Sequence, residues 1–194
     1  MRIVSDRDFI VHFEELLPAA ICGEIVERFE SSSATRTGRV FHVDDGNTRS
    51  EDKLSLDLAI PETGEWAGLH GAIHEAVSRA VAEILPRYPS LQVDPLGGTG
   101  YKIQKYARGE GHFTWHVDGF GPMAEHRVLA LVLYLNDVER GGETEFHHQA
   151  MAIRPRTADA LLFPTAWTHM HRARTPESND KYVISSFFEF VRER

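Results

Sequence analysis

Two histidines and one aspartate are the residues of this sequence best suited to hold a redox-active metal ion. His116 and Asp118 form a His-x-Asp pair, and His171 lies far downstream. Two imidazoles and one carboxylate make up the facial triad that leaves half of an octahedral iron(II) open to other ligands. Lys181 follows His171 by ten residues and would supply a cation for the far carboxylate of a dicarboxylic ligand. If these four side chains converge, the sequence predicts oxygen chemistry at an open iron(II) site.

The His-x-Asp spacing occurs twice in the chain, so the spacing alone does not choose between the copies. His42 and Asp44 lie in a polar segment and are followed by turn residues. His116 and Asp118 lie instead at the end of a predicted strand, where alternation points both side chains to the same face. We therefore favour the second pair as metal ligands.

The third ligand has two candidates on spacing alone, His169 and His171. They are two residues apart, so on a strand both would face the same way. Seven of the 11 histidines lie between positions 112 and 171, which concentrates metal-binding capacity in this part of the chain.

Composition indicates an ordinary globular protein with one domain spanning 1–194. The net charge of −8 and the lack of any Lys/Arg run argue against a nucleic-acid partner, because phosphate contacts need clustered cations. The sequence contains no apolar run of membrane-spanning length and no signal-peptide pattern, so we expect no membrane partner and a cytoplasmic location. The single cysteine, Cys22, is expected to be buried.

The first half of the chain, 1–95, is predicted to be a helical support region with a flap. Apolar residues repeat at helical spacing from Ile21 to Phe29, after Pro18, and again from Trp66 to Ile84. The polar segment 31–52 between these helices is predicted to be a loop with one short strand at 40–43. We expect this loop to act as a mobile lid over the substrate.

The second half, 96–194, is predicted to be the catalytic core, because its apolar pattern becomes β-like. Short strands separated by turn residues are predicted at 101–106, 113–117, 128–135, 143–147, 151–154, 160–163, 168–171 and 182–190. Eight short strands in this length favour a jelly roll or barrel. The fold class is therefore mainly β with flanking helices (α+β), with the N-terminal helices packed outside the core.

Two segments of this β half resemble a known family. They are RVLALVLYLNDVERGGETEF at 127–146 and HRARTPESNDKY at 171–182. Both are similar to motifs of the prolyl 4-hydroxylase group of the iron(II)/2-oxoglutarate oxygenases. Tyr106 and the helix that starts near Cys22 extend the resemblance upstream. It covers 100–190 well and 10–95 loosely, and it implies a double-stranded β-helix (jelly-roll) core.

The resemblance also implies roles for individual residues. It selects His171 rather than His169 as the third iron ligand, beside His116 and Asp118. In such enzymes 2-oxoglutarate chelates the iron, and its far carboxylate would reach Lys181. Tyr134 would donate a hydrogen bond beside that carboxylate, and Tyr106 would face the cosubstrate or the substrate. With O2 the expected reaction is hydroxylation of a C–H bond, with release of succinate and CO2.

Three functions are compatible with these residues. The favoured one is an oxygenase that acts on a prolyl or other protein side chain, and the second is a small-molecule hydroxylase on the same scaffold. The third is a non-catalytic metal-binding jelly roll or a zinc hydrolase, which is disfavoured because neither needs Lys181 and Tyr134 beside a triad. The expected partner is thus a peptide or a small molecule, with the choice left open at this point, as is the oligomeric state.

Overall fold

The fold is described from a computed structural model, in which residues 1–38, 40, 51–121 and 124–191 are described. Within them the chain forms two α-helices, α1 (Ala19–Glu30) and α2 (Ala67–Ile84), and 14 strands. The strands are β1 (Arg2–Arg7), β2 (Ile10–Glu14), β3 (Arg36–Thr37), β4 (Lys53–Leu54), β5 (Leu56–Ala59), β6 (Leu96–Gly98), β7 (Lys102–Tyr106), β8 (His112–His116), β9 (Arg127–Tyr134), β10 (Thr144–Phe146), β11 (Met151–Ile153), β12 (Ala160–Pro164), β13 (His171–Ala173) and β14 (Lys181–Phe190).

The strands form two antiparallel sheets. In the described residues the larger sheet has the order β1-β2-β12-β9-β14-β7-β5-β3, with β6 also paired to β14. The smaller sheet has the order β11-β10-β13-β8-β4. A cavity lies between them, lined by residues of both. This arrangement confirms the predicted double-stranded β-helix core.

Alternation along β9 shows how the larger sheet separates two hydrophobic clusters. Leu131 and Leu133 pack on the side of the helices, whereas Ala130 and Tyr134 belong to a second cluster with Phe146 of the smaller sheet. Side chains of a strand point alternately to its two faces, so one apolar strand can serve both clusters. The inner cluster supports the cavity.

Both predicted helices are confirmed, and they pack on the outer face of the larger sheet. α1 starts directly after Pro18, whose fixed φ suits the start of a helix, and it buries Cys22, Ile25 and Phe29. α2 buries seven apolar residues along one side. Within the described ranges, no helix has the length and apolar character needed to cross a membrane.

The N-terminal half contains more β structure than the sequence predicted. β1 and β2 form a hairpin that joins the larger sheet through β12, and β3, β4 and β5 also lie in this half. The hairpin turn places Asp8 and Phe9 at φ values of 52° and 65°. These left-handed values usually require Gly or Asn, and their absence from this turn removes the sequence signal for a hairpin.

Two other predictions need comment. The strand predicted at 168–171 is wrong in its first part, because Trp167–His169 is a short 3-10 helix and β13 begins at His171. Half of the lid predicted at 31–52, and most of its strand predicted at 40–43, fall on residues 39 and 41–50, outside the described residues. The unfavoured pair His42 and Asp44 lies outside them too.

Candidate metal centre

The three predicted metal ligands converge at one end of the smaller sheet. His116 ends β8 and His171 begins β13, and the two residues are direct partners across these neighbouring strands. Asp118 follows two residues after His116. Its Oδ1 lies 3.7 Å from His116 Nε2 and its Oδ2 lies 3.5 Å from His171 Nε2. One donor atom from each of the three residues lies within 4.8 Å of the others, which is the spacing of a metal site.

Backbone carbonyls orient both imidazoles for binding a metal. His116 Nδ1 donates to Thr114 O at 2.8 Å, and His171 Nδ1 donates to His169 O at 3.0 Å. Because a carbonyl only accepts, each Nδ1 must carry the proton, which leaves the Nε2 lone pair for a metal. Burial, reinforced by His171, holds the pKa of His116 well below its ordinary value. His116 is therefore neutral, as a ligand must be.

The other histidines predicted to lie outside the site are placed elsewhere. His169 Nε2 bonds to Asp8 O at 2.9 Å, on the far side of the β1–β2 turn. His147 and His148 are exposed, and their rings contact each other. His171 rather than His169 lies beside His116 and Asp118, in agreement with the choice that the family resemblance implied.

Lys181 is the buried cation that the sequence placed beside the triad. It lines the same cavity and is 1 % exposed. Its Nζ donates to Gly142 O at 2.6 Å, and no carboxylate among the described residues lies within ion-pairing distance of it. Burial, only partly offset by Glu143, lowers the pKa of Lys181 to about 7. An ammonium in this state gains strongly from an anionic partner.

A tight turn before β10 brings the Gly142 carbonyl to Lys181. Gly141 and Gly142 have φ values of 69° and 74°, and a Cβ on Gly141 would overlap the carbonyl oxygen of Thr175. Only glycine combines this conformation with so close a backbone approach. The turn that brings the Gly142 carbonyl to Lys181 therefore requires the Gly-Gly pair.

Tyr106 and Tyr134 lie on either side of Lys181, but they have different relations to the cavity. Lys181 Nζ lies 5.6 Å from the ring centroid of Tyr106 and 5.5 Å from that of Tyr134. Tyr106 lines the cavity, and its hydroxyl donates to Gln104 Oε1 at 3.2 Å. Tyr134 is not part of the lining; its hydroxyl donates to Thr144 Oγ1 at 2.8 Å, and Thr144 does line it. The structure therefore places Thr144 between the cavity and Tyr134.

Sequence reasoning did not single out several other residues of the cavity, which has a volume of about 630 Å³. Phe113 stacks on His116 with ring centroids 3.4 Å apart, and the Lys53 ammonium lies 5.2 Å from the centroid of the same Phe113 ring. Arg127 lies with its guanidinium 3.8 Å from the Phe187 ring centroid. None of these positions carries a spacing signal, because they come together only through strand pairing.

The residues present fit an iron(II) ion with a dicarboxylic cosubstrate. The triad offers two imidazoles and a carboxylate, the donor set of open iron(II) sites. In the same cavity, Lys181 is a buried cation whose one hydrogen bond goes to a carbonyl oxygen. A ligand carboxylate would supply the counter-charge that the described residues do not.

Comparison with known protein families identifies this arrangement. Residues 101–189 match the model of the 2OG-Fe(II) oxygenase superfamily. The match covers the β half of the chain, and the chain is also similar to prolyl 4-hydroxylases. Iron(II), 2-oxoglutarate and O2 are the metal and cosubstrates that go with this similarity and with the three converging donors.

Individual relatives point to the same group. "Probable prolyl 4-hydroxylase 9" of Arabidopsis thaliana is 24% identical over 96% of this chain and 70% of its own length. "Prolyl 4-hydroxylase 13" of the same plant is 24% identical over 64% of this chain and 59% of its own length. "Probable prolyl 4-hydroxylase 11" is 31% identical over 47% of this chain, which spans only 34% of that relative.

Solved structures show that the fold is shared. A prolyl hydroxylase from Trichoplax adhaerens, in complex with a hypoxia inducible factor peptide fragment, superposes with a TM-score of 0.80 at 14% identity, over 95% of this chain and 85% of its own. A viral collagen prolyl hydroxylase from Paramecium Bursaria Chlorella virus-1, in a 2OG complex, gives 0.70 at 15% identity, over 97% and 99%. At these identities the likeness concerns the fold alone.

Proposed function

We propose that this protein is an iron(II)- and 2-oxoglutarate-dependent dioxygenase that hydroxylates a prolyl residue of a peptide. The observation that carries the proposal is the convergence of His116, Asp118, His171 and Lys181 on one cavity. The prolyl substrate is supported by the names of the relatives and by the peptide held by one structural neighbour. We further propose a cytoplasmic location, which cell fractionation tests.

The residues of the cavity divide the work between the metal and the cosubstrate. His116, Asp118 and His171 would hold iron(II), which supplies, with 2-oxoglutarate and O2, the oxidation of a C–H bond with release of succinate and CO2. Lys181 would bind the far carboxylate of 2-oxoglutarate, where burial makes a charge-assisted hydrogen bond strong. Thr144, fixed by Tyr134, offers a hydroxyl in the same lining.

Arg127 would stabilise the loop of the metal ligand Asp118 and would also bind the substrate. Its Nη1 donates to the backbone oxygen of Asp118 at 3.3 Å, which steadies the loop that carries this carboxylate. Its buried Nε has no hydrogen-bond partner in the part of the chain that is described. A buried donor without a partner costs about 1–3 kcal/mol, so a peptide carbonyl arriving in the cavity would be stabilised there.

Turnover with labelled oxygen tests the proposal. The protein, iron(II) and 2-oxoglutarate are incubated under ¹⁸O2 with proline-containing peptides and, separately, with free amino acids. We expect succinate to form together with a peptide product that carries one ¹⁸O atom on proline. Asp118→Ala should abolish both products, whereas His126→Ala, at an exposed site away from the cavity, should retain them.

The same experiment separates the small-molecule alternative. Label found on a free amino acid but on no peptide would replace the peptide substrate with a metabolite. Succinate without any labelled product from any substrate tried would contradict the prolyl assignment. If a folded, iron-loaded protein forms neither succinate nor a labelled product, the assignment as a dioxygenase is itself contradicted.

A further inference from the structure

Lys53 and Lys102 belong to the cavity wall and share the carboxylate of one aspartate, and they are not among the residues assigned above to the metal or to 2-oxoglutarate. Lys53 Nζ lies 3.1 Å from Asp57 Oδ2, and Lys102 Nζ lies 3.4 Å from the same oxygen. The other oxygen of Asp57 accepts a hydrogen bond from Ser55 Oγ at 2.7 Å. Among the described residues, one carboxylate within ion-pairing distance therefore serves two ammonium groups. We call Lys53, Asp57 and Lys102 the two-lysine cluster.

The two-lysine cluster is built into the fold. Lys53 and Asp57 are buried, and Gly38 covers them so closely that a Cβ there would overlap Ser55 Oγ and come within 3.0 Å of Asp57 Oδ1. Burial, with Lys102 in the same direction, lowers the pKa of Lys53, although Asp57 and, more weakly, Asp118 oppose the change. An excess positive charge in such a place costs free energy unless an anion joins it.

Strand register places Lys102 farther along the cavity from Lys181, with Asp57 at a level between them. On paired strands β7 and β14, Tyr106 lies beside Lys181, and Lys102 lies beside Ser185. Four residue steps separate these two levels and span about 13 Å of strand. Lys53 nevertheless remains close to the metal ligands, because its ammonium contacts the Phe113 ring that stacks on His116. The cluster thus borders the space left for substrate.

We propose that the two-lysine cluster is a carboxylate subsite, which binds a carboxylate of the substrate close to the C–H bond that is hydroxylated. This inference rests on the proposed function and deepens it. A second carboxylate would give each ammonium an anionic partner. The cluster and its ligand would then carry two positive and two negative charges. The protein carries a net charge of −8, so a cationic wall beside its cavity would draw in acidic ligands that the rest of the surface repels.

The carboxylate has two possible sources, an acidic side chain near the target proline in a peptide and the α-carboxylate of a free amino acid. Binding is measured in protein loaded with Zn(II) and N-oxalylglycine, which occupy the metal and cosubstrate positions without turnover. The peptides contain one proline each, and in each peptide a single Glu stands at a different position before or after that proline. Each Glu peptide is paired with the same peptide in which Gln replaces Glu. Free proline is paired with prolinamide.

We expect the wild type to bind at least one acidic ligand roughly tenfold more tightly than its amide partner. Lys102→Met should remove this preference, and Lys102→Glu should reverse it. Lys102 is partly exposed, so both variants should fold, which thermal unfolding verifies. Arg79→Met is the matched control: it removes one positive charge from α2, outside the cavity, and should keep the preference.

Each outcome decides the proposal. A preference among the peptides assigns the carboxylate to an acidic side chain, and a preference for free proline alone assigns it to the α-carboxylate. No preference in the wild type for any pair, or a preference that survives in Lys102→Met, overturns the subsite. Turnover with iron(II) is measured separately. If the acidic ligand binds in a Lys102-dependent way but no hydroxylation occurs, only the proposed function is refuted. If hydroxylation occurs but the acidic ligands are not preferred, only the subsite is refuted.

Discussion

Replacing Lys181 with methionine should make the ligand-free protein more stable while it removes the cosubstrate site. Burial lowers the pKa of Lys181 from 10.5 to about 7. At about 1.4 kcal/mol per pKa unit, this difference corresponds to about 5 kcal/mol spent on keeping the side chain charged. Methionine has a similar length and no charge. We therefore expect Lys181→Met to raise the free energy of unfolding by about 1–4 kcal/mol at pH 7, as with other buried charges replaced by apolar side chains.

The pH dependence of this gain follows from the direction of the pKa change. Below pH 7 Lys181 is charged in both the folded and the unfolded chain, so the cost of burying the charge is complete. Between pH 7 and 10.5 the folded protein has lost the proton and the unfolded chain retains it, so the stability of the wild type rises with pH. The advantage of Lys181→Met should shrink over this window and vanish near its upper end.

Cosubstrate binding should change in the opposite sense. Losing one partner of a buried ion pair costs about 3–5 kcal/mol, so Lys181→Met should weaken 2-oxoglutarate binding by at least a hundredfold. Zn(II) binding should persist, because Lys181 is not one of the three converging donors. Calorimetric titration of the Zn(II)-loaded protein gives the affinity, and thermal unfolding from pH 6 to 10 gives the stability.

Lys105→Met is the contrasting control. Lys105 lies on β7, outside the cavity, and although burial lowers its pKa, bonds to Glu30, Tyr182 and Asp180 raise it overall. This substitution should therefore destabilise the protein and spare 2-oxoglutarate binding. The reasoning on Lys181 is refuted if Lys181→Met binds 2-oxoglutarate as tightly as the wild type, or if its stability relative to the wild type does not vary with pH.

Three further predictions concern the same cavity. Alanine at any one of the triad positions His116, Asp118 and His171 should abolish metal binding, measured by elemental analysis. Alanine at any of the control histidines should not abolish it; these are His42, His147, His148 and His169. Above pH 7, 2-oxoglutarate should bind with uptake of a proton by Lys181, seen as a binding heat that varies with the ionisation enthalpy of the buffer; equal heats in all buffers would contradict the lowered pKa. Tyr134→Phe should cost about 1–3 kcal/mol of stability by leaving Thr144 without its donor, and should weaken 2-oxoglutarate binding severalfold; an unchanged affinity would mean that Thr144 does not contact the cosubstrate.

The β half of the fold was predictable from sequence because its strands alternate and end in recognisable turns. Seven of the eight predicted strands agree with the observed ones to within a residue or two at each end. The eighth, at 168–171, failed because tertiary contacts override local propensity there. His169 is held through Nε2 by the carbonyl of Asp8, more than a hundred residues away in sequence, and the 3-10 turn of Trp167–His169 accompanies this contact.

The N-terminal strands were missed for a different reason. β1 and β2 meet at Asp8 and Phe9, and because Phe seldom adopts positive φ, this pair lacks the Asp-Gly or Asn-Gly signature of a tight hairpin turn. β4 and β5 are short and are separated only by Ser55, next to a polar segment that reads as loop. Their register is set by pairing with β8 and β7, which no local pattern encodes.

The convergence of the candidate metal ligands was predictable, whereas the surroundings of the proposed cosubstrate position were only partly so. A spacing of two residues at a strand end predicts that both side chains turn to the same side, and His116 and Asp118 do converge, although Asp118 lies in the turn after β8. Tyr134 was expected to donate a hydrogen bond beside the far carboxylate of the cosubstrate, and in this structure its hydroxyl donates to Thr144, which lines the cavity. A strand position specifies which face a side chain takes and not how far its terminal atom extends into a cavity.

The four lysines of the chain show why Lys181 and not Lys53 should anchor 2-oxoglutarate. Lys53, Lys102 and Lys105 each have a carboxylate within ion-pairing distance. Lys181 is the most deeply buried of the four and has only the Gly142 carbonyl, as far as the described residues go. A protein gains nothing in stability from a buried ammonium whose counter-charge is missing. The charge is therefore best explained by a ligand that brings its own carboxylate, and Lys181 is the position where a dianionic cosubstrate recovers the most free energy.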